Sequence, residues 1–268
     1  GRVVMGIYHP TSGKLEYEGQ EVNLRRTKDR FQYSKKAQII FQDPYSSLNP
    51  RKTVRDILSE AYLIHRMVPR GEKLNQKLYE LCDTVELSRD LLDRYPHELD
   101  GGMRQVVGIA RALSLSPSFI VCDEPVSSLD VSVQAKIINL LMELQKKMNL
   151  SYLFISHDLS VVRHISNRIA VMYLGQMVES APAKALFKNP MHPYTKALLS
   201  AIPVPDPDFK MERIPLKGEL TSPINPEPGC RFAKRCPYAT EGCTSNEMTL
   251  KEMEPGHFVS CRMVQEQG

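Results

Sequence analysis

The feature that most constrains the fold is a run of four apolar residues that ends in two carboxylates. Residues 119–124 read Phe-Ile-Val-Cys-Asp-Glu. An uninterrupted apolar run of this length is typical of a strand covered on both faces, as in a parallel sheet. Ligands bind at the carboxyl ends of parallel strands. The run therefore predicts an α/β fold with Asp123 and Glu124 at the ligand-binding edge of a parallel sheet.

The two carboxylates suit a nucleotide site. Asp123 could hold Mg²⁺, usually through water, and Glu124 could polarise a water that attacks a phosphate. The alternative is a buried strand followed by a solvated acidic turn. The six residues alone do not decide between the two.

The surrounding sequence alternates helices and strands in a βαβ pattern over residues 97–180. Its apolar periodicity predicts helices at Gly102–Leu115, Ser132–Met148 and Leu159–Ile165, and strands at Ser118–Cys122, Tyr152–Ser156 and Arg168–Tyr173. Upstream, residues 1–50 are turn-rich with short strands at Lys14–Glu18 and Gln38–Phe41, and the helices Thr53–Met67 and Lys73–Val85 follow.

The amino-acid composition changes near residue 200. Proline stands at every second position from Pro203 to Pro207, which predicts an extended linker. Cysteine, proline and glycine are frequent in the residues that follow. We expect a small appended domain after the linker.

Four further motifs each have a chemical and a structural interpretation. Gly101 and Gly102 open a helix, where free N–H groups can receive a phosphate, but Asp100 could simply cap that helix. His157 follows a strand and could bond a phosphate oxygen, although a histidine there is more often structural. Gln42 and Asp130 lie in segments that are also compatible with an ordinary turn and a capping loop.

These motifs occur in a fixed order along the chain. Gln42 is followed by a helical insert, the loop Leu99–Met103, Asp123-Glu124, Asp130 and His157. In this order the chain resembles the nucleotide-binding domain of ABC transporters. The stretches 41–50 (FQDPYSSLNP), 189–195 (NPMHPYT) and the cysteine-containing tail resemble the branch that imports oligopeptides, dipeptides or nickel.

The resemblance implies a P-loop NTPase-like ABC ATPase core with a parallel sheet. It places a nucleotide-binding domain at residues 1–200, with a helical subdomain at about 51–110, and a small cysteine-rich extension at 201–268. It implies ATP and Mg²⁺ as cofactors. The implied roles are catalysis by Glu124 and His157, Mg²⁺ binding by Asp123 and Gln42, and ATP contacts by Leu99, Asp100, Gly101, Gly102, Met103 and Asp130.

The implied partners are a second ABC ATPase subunit, two membrane permeases and, indirectly, an extracytoplasmic peptide-binding protein. No run approaches the ~18 apolar residues of a membrane span, so we expect a protein held at the cytoplasmic face of the membrane by its permeases. A net charge of +4 does not indicate nucleic acid. Two alternatives are a non-catalytic ABC subunit and an ABC-type ATPase of DNA repair, for which residues 51–95 are too short to form the coiled coil.

The chain departs from the family in two places. No G-x-x-x-x-G-K-[ST] loop occurs, and Gly1–Met5 resembles the helix that follows such a loop. We therefore expect an N-terminal truncation and no tight ATP binding by these residues alone. Leu99–Met103 resembles the signature loop of the family, but Asp100 and Met103 stand where the family usually has Ser and Gln. A carboxylate ~4 Å from a phosphate costs about 4 kcal/mol at an effective dielectric of ~20, unless Asp100 turns away to cap its helix.

The tail contains Cys230, Cys236, Cys243 and Cys261. Four thiolates can ligate an iron–sulfur cluster or zinc, but the tight C-x₂₋₄-C spacing of zinc sites is absent. The resemblance implies a [4Fe–4S] cluster, which some members of this branch hold. Free thiols and zinc remain as alternatives.

Overall fold

The computed structural model describes residues 1–202, 213–218, 222, 224–245 and 248–267. Residues 1–157 form one compact unit, and residues 158–268 form a second. Among the described residues, no helix is long and apolar enough to cross a membrane.

A three-stranded parallel sheet organises the first unit. Its order is β3–β4–β5, with β3 at Ala37–Ile40, β4 at Phe119–Asp123 and β5 at Ser151–Ile155. The central strand has apolar side chains on both faces, and Ile120 and Val121 are fully buried. The predicted parallel α/β sheet is confirmed.

The N-terminal segment is less regular than expected. Gly1–Met5 forms hydrogen-bonded turns, in which the N–H of Met5 donates to the carbonyl of Gly1 at 3.0 Å. Gly6 then takes a φ of +70°, which ends the helical path. A short antiparallel pair follows, β1 at Glu16–Tyr17 and β2 at Gln20–Glu21.

The helices of the first unit are α1 Thr27–Lys36, α2 Pro44–Ser47, α3 Val54–Ile64, α4 Glu72–Thr84, α5 Gly101–Leu113 and α6 Val131–Met148, with 3-10 helices at Arg89–Asp93 and Pro96–Glu98. Two of these helices, α1 and α5, contact β3, and the helices of the insert, α3 and α4, pack against α5. The predicted helices end within three residues of these bounds. Thr53 starts α3 with a complete capping box, and Leu58 and Leu78 lie on the fully buried faces of α3 and α4.

The second unit contains an antiparallel sheet of order β6–β7–β9–β8. Its strands are β6 Arg168–Tyr173, β7 Gln176–Pro182, β8 Lys251–Glu254 and β9 His257–Val259. Its helices are α7 Leu159–Ile165, α8 Ala183–Lys188, α9 Pro193–Ser200, α10 Glu241–Ser245 and α11 Arg262–Gln267, with a 3-10 helix at Ala233–Arg235.

One sequence-based expectation changes in this unit. Arg168–Tyr173 is a strand, but it pairs with β7 and does not extend the parallel sheet. The two compact units divide after residue 157, and the tail strands β8 and β9 complete the sheet begun by β6 and β7. The domain boundary expected near residue 200 stays a prediction. The predicted linker Pro203–Pro207 lies outside the described residues.

Candidate nucleotide-binding site

Three predicted site residues meet at the carboxyl edge of the parallel sheet. Gln42 follows β3, Glu124 follows β4 and His157 follows β5. The Gln42 side chain donates Nε2–H to Glu124 Oε2 at 2.7 Å, and His157 Nδ1 lies 3.1 Å from Glu124 Oε1. Because both carboxylate oxygens are engaged, the plane of the Glu124 carboxylate is fixed at this edge.

The backbone of Glu124 contributes to this placement. Its φ is +48°, in the left-handed region that non-glycine residues rarely occupy. Its N–H donates to the carbonyl of Ile155, the last residue of β5, at 2.9 Å. A strained conformation held by neighbouring structure is common at functional sites, and no sequence signal had indicated it.

Asp123 lies one residue earlier, at the end of β4, and has a different partner. Its Oδ2 is 3.4 Å from Nε of Arg2, and the side chain is 18% exposed. The Asp123 carboxylate and the Gln42 amide offer the oxygen ligands that Mg²⁺ uses. Mg²⁺ in phosphate sites needs only one or two carboxylates besides the phosphates, so these residues fit an ATP-bound ion.

A cleft of about 420 Å³ opens beside Gln42. Arg2, Phe41 and Ser46 are among the residues that line it. Asp43 lies in the same wall and accepts a hydrogen bond from the N–H of Tyr45. Hydrogen bonds from Ser46 and from that N–H hold the pKa of Asp43 below its ordinary value.

The signature loop is built around its own helix. Asp100 Oδ1 accepts the N–H of Met103 at 2.7 Å, so Asp100 is the N-cap of α5, as its structural interpretation proposed. Leu99 is buried, whereas Met103 is 41% exposed. Gly102 packs tightly against α6, since a Cβ at that position would lie 2.8 Å from Val133 Cγ1; one at Gly101 would lie 3.4 Å from the Leu129 side chain.

Asp130 caps the next helix. Its Oδ1 accepts hydrogen bonds from the N–H of Val133 at 3.0 Å and the hydroxyl of Ser132 at 2.7 Å. Both hydrogen bonds hold the pKa of Asp130 below its ordinary value, and the bond from Ser132 has the larger effect. Asp100 and Asp130 thus bond to the starts of α5 and α6, while Gln42, Glu124 and His157 bond to one another.

A second surface feature of this unit is a groove of about 240 Å³ between β3, α3 and α5. Phe41, Ile64 and His65 are among its lining residues. Arg111 also lines the groove, and its guanidinium donates to the carbonyl of Ser47 at 2.5 Å. The groove is therefore connected to the segment that carries Gln42.

In the second unit, all four tail cysteines line one small cavity of about 20 Å³, together with His192. Burial raises the pKa of the Cys230, Cys236 and Cys261 thiols, and neighbouring thiols raise it further. Cys230 N–H donates to the carbonyl of Cys243 at 2.7 Å. Within the described ranges, no group of three or more His, Cys, Asp or Glu side chains is placed to hold a single metal ion.

A buried polar centre in the second unit had not been predicted. The Glu179 carboxylate is fully buried and contacts His257 Nε2 at 2.7 Å. It also accepts the N–H groups of Met191 and His192 at 2.8 and 3.0 Å. His192 belonged to the motif 189–195, but nothing in the sequence connected that motif with Glu179 or His257.

Comparisons with known proteins agree with this geometry. Residues 2–127 match the family model described as "ABC transporter", and residues 178–243 match "Oligopeptide/dipeptide transporter, C-terminal region". The chain is 53% identical to the putative oligopeptide transport ATP-binding protein YkfD of Bacillus subtilis over 98% of its own length and 80% of that protein. The chain belongs to the ATP-binding subunits of oligopeptide/dipeptide ABC importers.

Other members of this family and of its fold are also similar. The oligopeptide transport ATP-binding protein AppF of B. subtilis is 52% identical over 98% of this chain and 80% of its own length. Among solved structures, CbiO1 of Clostridium perfringens superimposes with a TM-score of 0.62 at 23% identity, covering 70% of this chain and 73% of that one. The ATP-binding cassette MJ0796, bound to ADP and phosphate, gives a TM-score of 0.60 at 24% identity, covering 68% and 78%. These two show the ABC ATPase fold.

Proposed function

We propose that this chain is the energy-coupling ATPase subunit of an importer for oligopeptides or dipeptides. The observation that carries the proposal is the Gln42–Glu124–His157 cluster at the edge of the sheet. Members of the ABC ATPase family hydrolyse ATP, and relatives named as oligopeptide transport proteins share half of the residues of this chain.

The cluster suits in-line attack of water on the γ-phosphate of ATP. Glu124 orients the attacking water and accepts its proton, because its carboxylate is held in one plane by Gln42 and His157. His157 is 72% exposed and can donate to a phosphate oxygen. Asp123 and Gln42 would hold the Mg²⁺ that accompanies ATP, and when bound this ion would supply positive charge against the charge that develops on the phosphate.

The partners follow from the two faces of the first unit. The capped starts of α5 and α6, with Leu99–Met103 and Asp130, would face the ATP of a second ABC ATPase subunit. The groove beside α3 would receive a cytoplasmic segment of one of two membrane permeases, and Arg111 joins it to the segment of Gln42. The protein would then lie at the cytoplasmic face of the membrane, with a peptide-binding protein on the other side.

Phosphate binding needs groups beyond these. The 268 residues contain no G-x-x-x-x-G-K-[ST] loop, so no loop amides and lysine of that motif hold the β- and γ-phosphates. We propose that hydrolysis requires a phosphate loop in addition to residues 1–268, and that these residues alone are inactive.

The cysteine-rich extension would hold an iron–sulfur cluster. Four thiols from residues 230–261 converge on one cavity, which is the donor set of a [4Fe–4S] cluster. When bound, the cluster would cross-link the tail. Iron and sulfide analysis of anaerobically purified protein tests this, and a preparation with neither would favour free thiols.

The experiment that tests the ATPase role is Glu124→Gln in the complex assembled with its permeases and a complete phosphate loop. We expect ATP hydrolysis to fall ~10²–10⁴-fold, the usual contribution of a general base, with nucleotide binding retained. Glu143→Gln, on the exposed face of α6, is the matched control. Unchanged hydrolysis in Glu124→Gln would favour the non-catalytic subunit, to which Asp100 in the signature loop also points.

A further inference from the structure

The positive charge of this chain is concentrated in one short segment. Residues 25–36 contain six Lys or Arg and one acid, a net charge of +5, whereas the whole chain has a net charge of +4. The remaining residues therefore sum to −1. This segment consists of α1 and the two residues that precede it.

Five of these six cations have no ion-pair partner among the described residues. Lys36 pairs with Glu18, whereas no ion pair forms at Lys35, Arg25, Arg26, Lys28 or Arg30. The last four of these side chains are exposed. We call Arg25, Arg26, Lys28 and Arg30 the basic segment. Neither the ATP site nor the cysteine cavity uses it.

An apolar patch adjoins the basic segment. Phe31 is 39% exposed and stacks on His65 with ring centroids 4.3 Å apart. Ile64 and Met67, which flank His65, are 58% and 48% exposed. Lys35 lies over the Phe31 ring at 5.6 Å. Exposed apolar side chains beside a cluster of cations are the composition of a surface that lies against lipid headgroups.

We infer that the basic segment and Phe31 dock on an anionic lipid surface. Clusters of four or more Lys and Arg bind acidic lipids, and each cation contributes through the negative surface potential. His65 belongs both to this patch and to the groove that we assign to the permease, which places α1 on the membrane-facing side; this last step rests on the proposed function.

The lipid contact would have a role distinct from that of the permeases. It would orient the ATPase subunit on the membrane before or during assembly, and it would weaken as salt rises, because exposed charges are screened. Nucleic acid is a competing polyanion. The apolar patch favours lipid, since a phosphate backbone offers nothing for Phe31, Ile64 and Met67 to contact.

The test uses the 268-residue protein and vesicles without permease, so that its outcome is independent of the proposed function. Sedimentation with phosphatidylcholine vesicles is compared with and without phosphatidylglycerol, at rising sodium chloride. The test variant combines Arg25→Gln, Arg26→Gln, Lys28→Gln and Arg30→Gln. The matched control combines Lys73→Gln, Lys136→Gln, Lys146→Gln and Lys147→Gln, which are exposed and outside α1.

We expect the wild type and the control variant to bind only vesicles that contain phosphatidylglycerol, and the test variant to bind them about a thousandfold more weakly. The chain has no tryptophan, so Phe31→Trp supplies a single reporter whose emission should shift to the blue on binding. Tyr238→Trp, in the second unit, should not shift. Equal losses in both quadruple variants, no preference for phosphatidylglycerol, or tighter binding to RNA than to vesicles would overturn the inference.

Discussion

Asp100 caps a helix, and in the proposed dimer its charge would also have an electrostatic cost. Its Oδ1 caps α5 through the N–H of Met103, and a carboxylate at a helix N-terminus is favourable. In a dimer, however, the same carboxylate would lie near the triphosphate of the partner's ATP. A serine would retain the cap without the charge.

We therefore expect Asp100→Ser to raise the ATPase rate of the assembled complex. Folding stability should change by less than about 1 kcal/mol, because serine and aspartate are similar as N-caps. Steady-state phosphate release and urea unfolding measure the two effects. Asp100→Asn also removes the charge, and asparagine is closer in shape to aspartate than serine is, so this variant is a second test of the charge. An unchanged rate in both variants would show that Asp100 does not repel the nucleotide.

Glu179 is the residue whose removal should be most costly to the second unit. Glu179→Ala would leave His257 and the N–H groups of Met191 and His192 without their shared acceptor. Removing one member of a buried polar pair costs about 3–5 kcal/mol. Thermal and urea unfolding should show this loss. Glu241→Ala, at an exposed position of the same unit, should cost less than about 0.5 kcal/mol, and equal losses would contradict the assignment.

The sequence made some of these residues predictable and hid others. Gln42, Glu124 and His157 each follow a short apolar run, and parallel strands bring such positions to one edge. Glu179 stands in a strand that had not been predicted, and its partner His257 is 78 residues away. A pairing of that separation leaves no local pattern.

At the scale of elements, the start of α5 fits against α6 with no room for a side chain at one of its two glycines. Gly102→Ala would place a methyl group 2.8 Å from Val133, whereas Gly101→Ala meets only an ordinary contact with Leu129. We expect Gly102→Ala to destabilise by about 1–3 kcal/mol. Gly101→Ala should be neutral or slightly stabilising. Urea unfolding of both variants distinguishes them, and similar midpoints would show that α5 can shift without cost.

Acid should destabilise the folded protein through the start of α9. His192 is its N-cap, and its Nδ1 accepts the N–H of Tyr194. Burial lowers the pKa of His192 from 6.5 to about 4. Since the unfolded chain binds a proton at higher pH than the folded one, stability is fully present above pH ~6.5 and is lost as pH falls toward ~4, by up to about 3 kcal/mol.

His192→Asn is the matched variant for this effect, because asparagine retains a capping oxygen and does not titrate. Iron-free wild-type protein should lose stability between pH 6.5 and 4 more steeply than the variant does. Chemical denaturation across this range measures the difference. Parallel curves would contradict the assignment to His192.

The elements also show where prediction from sequence ends. Helices α3 to α6 and strands β3 to β5 were predictable because each has its own apolar period or run. The strand Arg168–Tyr173 was predicted, but its pairing with β7 was not. The residue pattern of a single strand does not indicate which strand lies next to it. The helix α1 was missed because few of its residues are apolar.

At the scale of the whole molecule, the proposed function makes ATP binding depend on a phosphate loop in addition to the cluster described above. We expect the 268-residue protein to show no saturable ATP binding below millimolar concentration, since the phosphate loop supplies the contacts to the β- and γ-phosphates. Isothermal titration calorimetry with ATP and Mg²⁺ measures this. A protein carrying such a loop ahead of residue 1 is the control, and micromolar binding by the 268 residues would refute the expectation.

The order of strands in the second sheet has a consequence for biosynthesis. Strand β7 lies between β6, its neighbour in sequence, and β9, which emerges from the ribosome some seventy-five residues later. Until then one edge of β7 has unpaired N–H and C=O groups, and other nascent chains can pair with such an edge. A message that stops before codon 257 would therefore yield a product that is prone to aggregate, even though every position that we propose to be catalytic has already been translated.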